Sequence, residues 1–117
     1  MNRFAIAILL ALTATIGALS ERAHAEPRLA LVVGNGAYTT VTPLDNPVND
    51  ASLMADALRK VGFEVTLVTD SSQNEMISAI SQFGSKLRAA GEDATGLFYY
   101  AGHGVQSFGA NFLLPVD

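Results

Sequence analysis

Apolar and polar positions change their spacing several times along this chain, and each change marks an element. Phe4 to Leu19 is an almost unbroken apolar run, relieved only by small residues such as Thr13, Thr15 and Gly17. Arg28 to Val33 is a second, shorter run that stops at Gly34-Asn-Gly36, which suits a strand buried on both faces. A turn-rich stretch, Ala37 to Asn46, follows. Asn46-Pro47 then opens a helix, with Asn46 as N-cap and Pro47 at the first helical position. Ala51, Met54, Ala55, Leu58 and Val61 recur at helical spacing, and Gly62 is a natural stop. Ser52, Asp56, Arg59 and Lys60 fall on the other side, where Asp56 and Lys60 are four apart.

Phe63 to Val68 alternates, with Phe63, Val65 and Leu67 set against Glu64, Thr66 and Val68. Alternation predicts a strand less buried than the first, at the edge of a sheet. Ser72-Gln-Asn-Glu75 is a capping-box pattern. The helix it starts places Met76, Ile77, Ile80, Phe83 and Leu87 on one face, and Gly91-Glu-Asp93 ends it. Ala94 to Tyr100 is a third strand, read as a central one, running into Ala101-Gly-His-Gly104. The tail from Val105 to Asp117 has short apolar pieces around Gly109-Ala-Asn111, the pattern of a small hairpin.

Strand–helix–strand–helix–strand predicts an α/β fold: a mainly parallel sheet with right-handed crossovers and helices on both faces. Ligands of such sheets gather at the carboxyl ends of the strands. Gly34-Asn-Gly36 and Gly102-His-Gly104 both lie at those ends.

The first apolar run has a different destination. Asn2-Arg3 supplies a positive start, and Ala23-His-Ala25 supplies small residues at both key positions of an A-x-A cleavage site. That order of parts predicts a signal peptide over residues 1–25, with a mature domain from Glu26 to Asp117 that is exported to the periplasm or medium. The apolar core of about 15 residues falls short of the ~20 that span a bilayer. No second apolar run predicts a membrane span in the mature part. The chain has 117 residues and a net charge of −4. The basic residues of the mature part, Arg28, Arg59, Lys60, Lys86 and Arg88, are scattered, so no patch marks a nucleic-acid partner. There is no cysteine. Disulfide stapling is therefore excluded, and so is a thiol nucleophile within this chain.

His103 is the strongest candidate for chemistry, since an imidazole takes and gives protons near neutral pH. Its flanking glycines leave room for a substrate backbone. On the residues alone, a turn histidine without catalytic role stays equally open. Gly34-Asn-Gly36 lacks the third glycine of a dinucleotide fingerprint, and the helix starts some ten residues later, so it fits a phosphate loop poorly. One histidine and no cysteine beyond Ala25 do not make a zinc site. There is no G-x-S-x-G elbow and no recognisable calcium loop. Asp50, in the first turn of the first helix, is accounted for by the helix dipole. Asp45 and Asp70 read as turn residues, and Tyr38, Tyr99 and Tyr100 as core or rim aromatics.

Five segments in order carry a resemblance: Leu29-Ala-Leu-Val-Val-Gly-Asn-Gly-Ala-Tyr38, Asn46-Pro-Val-Asn-Asp-Ala51, Gly62-Phe-Glu-Val-Thr-Leu-Val-Thr-Asp70, Phe98-Tyr-Tyr-Ala-Gly-His-Gly104 and Asn111-Phe-Leu-Leu-Pro-Val-Asp117. Together, from Arg28 to Asp117, they resemble bacterial members of the caspase/metacaspase family. The resemblance implies a cysteine-type endopeptidase acting on a peptide or protein substrate, with a mainly parallel sheet flanked by helices and present here only in part. It makes His103 the catalytic histidine and Gly104 the residue whose backbone N–H helps hold the oxyanion. It makes Asp50 the acidic residue of the primary specificity pocket, with cleavage after Arg or Lys. Ala101 departs from the pattern, because many metacaspases have serine there. The catalytic cysteine is expected about 50 residues beyond the histidine, so the chain reads as the histidine-bearing half, inactive alone. No cofactor is implied, although some metacaspases need calcium. The rival expectation is a peptidase homologue that binds peptides without cleaving them.

Overall fold

The computed structural model of the chain describes residues 25–117, so the leader and its cleavage motif fall outside it but for Ala25. Strand β1 spans Arg28–Gly34, and every residue after Arg28 is buried. It is buried because it lies in the middle of the sheet. Strand β2, Glu64–Thr69, and strand β3, Thr95–Ala101, pair with it in parallel on either side, in the order β2-β1-β3.

Alternate residues of β1 serve two helices. Ala30 and Val32 meet Ala51, Ala55 and Leu58 of helix α1, Pro47–Lys60, with Met54, Phe63, Val65, Leu67, Leu97 and Tyr99 packed around them. Helix α2, Gln73–Ala90, also packs on β1, with Met76 buried and Leu87 so close over β3 that a Cβ at Gly96 would lie 2.9 Å from its methyls. The predicted α/β arrangement is therefore present. Hydroxyl and carboxylate close the start of α2 as the sequence suggests: Ser72 accepts from Glu75 N–H, and Glu75 accepts from Ser72 N–H.

Several local expectations need correction. Asn46 occupies the N-cap of α1 without capping it, because its backbone is already helical (φ −94, ψ −27) and its side chain makes no cap bond. Val61 lies past the end of α1 and is 58% exposed, since the chain turns away at Gly62 with φ +90. Asp56 pairs with Arg59 at 3.2 Å, three residues away, rather than with Lys60. On α2, Ile77 and Ile80 are exposed, leaving Met76, Phe83 and Leu87 as the more buried residues of the expected face. Among the described residues β3 lies at the edge of the sheet, paired only with β1, as expected of a strand whose further partner would be the cysteine-bearing one.

Beyond β3, strand β4 (Gly104–Ser107) and strand β5 (Ala110–Leu113) form the expected antiparallel hairpin. Phe108 and Gly109 both have positive φ, as a two-residue hairpin turn of this hand requires. From β1 the chain moves out to β2, then crosses back over β1 to β3. The direction of winding thus reverses between β1 and β3, and the carboxyl ends at such a reversal are where ligands of open α/β sheets bind.

Candidate functional site

The loops leaving β1 and β3 meet at this reversal point. Asn35 N–H donates to the Ala101 carbonyl at 2.9 Å, carrying the strand pairing one step past Gly34 and Ala101. Gly102 then turns the chain. A Cβ there would lie 2.5 Å from the Tyr100 phenol oxygen and 2.6 Å from that of Tyr38, so only glycine fits. His103 follows, half-buried, immediately before β4.

His103 is held at its backbone and at its ring. Its N–H donates to Tyr38 Oη at 2.8 Å. Its carbonyl accepts from Tyr100 Oη at 2.7 Å and from Leu114 N–H at 3.0 Å. The imidazole packs against the Tyr38 ring, centroids 4.7 Å apart. Nε2 lies 2.8 Å from the Thr42 carbonyl oxygen. A carbonyl only accepts, so this contact places the proton on Nε2 and makes Nδ1 the acceptor of the neutral ring. The ring is oriented as a base through Nδ1. The loop carrying Thr42 is itself fixed: Tyr38 N–H and Leu44 N–H both donate to Gly36 O, and Thr39 N–H donates to Val116 O.

Asp70, read from sequence as a turn residue, and Asn35 organise this end of the sheet. Asp70 Oδ1 accepts from the N–H groups of Gly36 and Ala37, both at 2.9 Å. These are donors a phosphate would use, and the chain's own carboxylate occupies them. Asn35 is fully buried. Its Oδ1 accepts from Ser71 N–H and Oγ–H, and its Nδ2 donates to Leu114 O and to the Met76 sulfur. The segment after β5 straps the same region together. Val116 N–H donates to Ser71 O, and Asp117 Oδ1 accepts from Gln73 N–H at the start of α2. The carbonyls of Thr42 and Leu114 had no signal in the sequence, because every residue has one.

Gly104 opens β4 opposite Leu113. Since Leu114 N–H bonds to His103 O, the alternation of an antiparallel ladder makes Gly104 and Leu113 a non-hydrogen-bonded pair. The Gly104 N–H therefore points away from β5, into the open side of the hairpin. Asp50 is exposed in the first turn of α1, at the same end of the sheet as His103, with no hydrogen bond or ion pair to its carboxylate among the described residues. Ala101 closes β3, half-buried. Burial first, and then the hydrogen bond and charge of Tyr38, push the Tyr100 phenol well above its ordinary range. Among the described residues no three of His, Cys, Asp and Glu gather as metal ligands.

A family profile described as a caspase domain matches residues 27–117. The chain is 36% identical over 93 residues, 80% of its length, to the Mus musculus mucosa-associated lymphoid tissue lymphoma translocation protein 1 homolog. It is 36% identical over 98 residues, 84% of its length, to the Homo sapiens mucosa-associated lymphoid tissue lymphoma translocation protein 1. It spans 11% and 12% of the lengths of those two proteins. The profile runs from Pro27, at the foot of β1, through both crossovers and the histidine loop to Asp117. The chain belongs to the caspase domain family.

Proposed function

We propose that this chain supplies the histidine side of a cysteine-type endopeptidase active site. The observation that carries the reading is the His103 imidazole, held at Nε2 by Thr42 O so that Nδ1 is its acceptor, at the reversal point of the sheet. The chain has no cysteine, so the thiol comes from a polypeptide segment outside it. His103 Nδ1 takes the thiol proton, and the thiolate attacks the scissile carbonyl carbon. The resulting oxyanion accepts from Gly104 N–H, which the ladder leaves unused. Collapse of the intermediate expels the amine with the proton held by His103, and a thioester remains. Water, deprotonated by the same ring, hydrolyses it. Asp50 is the counter-charge for an Arg or Lys side chain of the substrate. The predicted leader supports a reaction outside the cytoplasm.

The test joins residues 26–117 to a cysteine-bearing remainder of a caspase domain and profiles cleavage on a peptide library. Cleavage should follow Arg or Lys, and His103→Ala should lower kcat/KM by about 10²–10⁴-fold. Asp50→Ala should lower it about 30-fold or more, because a charge covered by substrate and left unpartnered costs about 2 kcal/mol or more. The chain alone should cleave nothing. Preference for acidic residues, unchanged by Asp50→Ala, overturns the specificity assignment. Peptide binding without turnover in the joined protein favours a non-catalytic peptide-binding module instead.

A further inference from the structure

We infer that Tyr38 and Tyr100 are positioning residues for His103, a paired phenol bridge that sets the direction of its ring nitrogens. The His103 loop has little else to hold it. Gly102 precedes it with no side chain, and the hairpin that follows is exposed along all of β4 and β5. No buried apolar side chain lies within that stretch to anchor the imidazole.

The bridge fixes both peptide groups of His103. Tyr38 Oη accepts from the His103 N–H, while Tyr100 Oη donates to the His103 carbonyl. The two phenol oxygens are 3.0 Å apart and lie 3.1 Å and 2.9 Å from Leu114 O. Two phenol protons serve these contacts, and the carbonyls can only accept. With the Tyr100 proton on His103 O, the Tyr38 proton goes to Leu114 O or to Tyr100 Oη. Removing either hydroxyl breaks a contact to the histidine backbone and also strips its partner phenol of a neighbour.

Tyr38 acts on the ring as well. Its ring packs against the imidazole, tilted 57° to it, and the loop that begins at Tyr38 brings the Thr42 carbonyl to Nε2. One short loop thus supplies three constraints on one histidine: its amide, its ring plane and its tautomer. Tyr99 provides the contrast. It belongs to the same strand but faces the α1 side, packed against the Ala30, Val32 and Leu58 cluster.

The assignment rests on the proposed peptidase reading only in making His103 the base, so its test needs a readout independent of turnover. The full chain is labelled with ¹⁵N-histidine, and long-range ¹H–¹⁵N spectra report the His103 tautomer, with His103→Gln identifying its signals. The wild type should show one dominant tautomer, protonated at Nε2. Tyr38→Phe, which keeps the ring and removes the hydroxyl, should produce a mixture of tautomers. It should also speed solvent exchange of the His103 amide about tenfold, the scale of one lost hydrogen bond. Tyr100→Phe should speed that exchange too, and Tyr99→Phe should change neither quantity. In the joined peptidase, Tyr38→Phe should lower kcat about tenfold with KM unchanged.

Unchanged tautomer and exchange in Tyr38→Phe, even with a lower melting temperature, would make the role merely structural and overturn the inference. Should Tyr38→Phe fail to fold, amide exchange in Tyr100→Phe decides between the same two outcomes. A shifted tautomer in a joined protein that cleaves no peptide upholds the positioning and rejects the peptidase reading. A His103-dependent peptidase indifferent to Tyr38→Phe in tautomer, exchange and kcat does the reverse.

Discussion

Tyr100 shows how much one hydroxyl can depend on its surroundings. Its hydroxyl lies within hydrogen-bond reach of two carbonyls and a second phenol, and burial first, then Tyr38, raises the cost of ionising it. An unfolded tyrosine titrates near pH 10. The folded phenol titrates higher, so between those values the native state holds a proton that the unfolded chain has released. Stability from this group is complete below about pH 10 and falls as pH rises toward the folded value. Urea unfolding between about pH 8 and 11 should therefore show a steeper alkaline loss in the wild type than in Tyr100→Phe. Equal slopes would mean that the phenol titrates alike in both states. Asn35 is the complementary case. It carries no charge, yet all its side-chain groups are used in a fully buried position, so it joins β1, the start of α2 and the Leu114 strap without any pH dependence.

The two helices begin with similar sequence signals and different physics. Ser72 has extended backbone (φ −67, ψ 166), which aims its hydroxyl at the Glu75 N–H. Asn46 has helical backbone, and its side chain makes no cap hydrogen bond. Pro47 explains why α1 tolerates this: it has no N–H to satisfy and its φ is already suited to a helix. Ser72→Ala should cost about 1 kcal/mol in chemical denaturation, the usual value for a working cap. Asn46→Ala should cost almost nothing. Similar losses at both positions would show that Asn46 caps in solution. The contrast matters for function, because the start of α1 carries Asp50 while the start of α2 receives Asp117. One helix end stays exposed, and the other is tied into the scaffold of His103.

On the scale of the molecule, three strands leave two sheet edges bare among the described residues. β2 meets its edge with Glu64 and Thr66, whereas β3 presents Leu97, Phe98, Tyr99 and Tyr100 in sequence. Phe98 is 45% exposed, and Ile77 and Ile80 of α2 are also exposed. An apolar edge with unpaired backbone groups is a template for pairing with another chain. Residues 26–117 should therefore self-associate at micromolar to millimolar concentrations, the range in which exposed edges aggregate. Phe98→Lys should move the elution toward monomer in size-exclusion chromatography with light scattering. A wild type that stays monomeric up to about 1 mM would remove this expectation.

Much of this architecture is written in local pattern. Continuous burial of β1, the partial burial of β2 at the sheet edge, the Ser72–Glu75 box, the hairpin and the place of His103 after the third strand all follow from spacing within short windows. Periodicity is a property of neighbouring residues, so the sequence alone was enough for them, and the resemblance of its five segments named the family. The site is a different matter. Tyr38 and Tyr100 are 62 positions apart, and Asn35 and Leu114 are 79 apart. Nothing local couples such pairs until β3 is laid beside β1. Two of the groups bonded directly to His103, the Thr42 carbonyl and the Leu114 N–H, belong to the backbone and leave no mark in side-chain chemistry. Tertiary structure also decided that Asp70 fills the glycine turn and that Ile77 and Ile80 stay outside the core. Periodicity determines which side of a helix is apolar, but the width of the sheet beneath determines how much of it is covered.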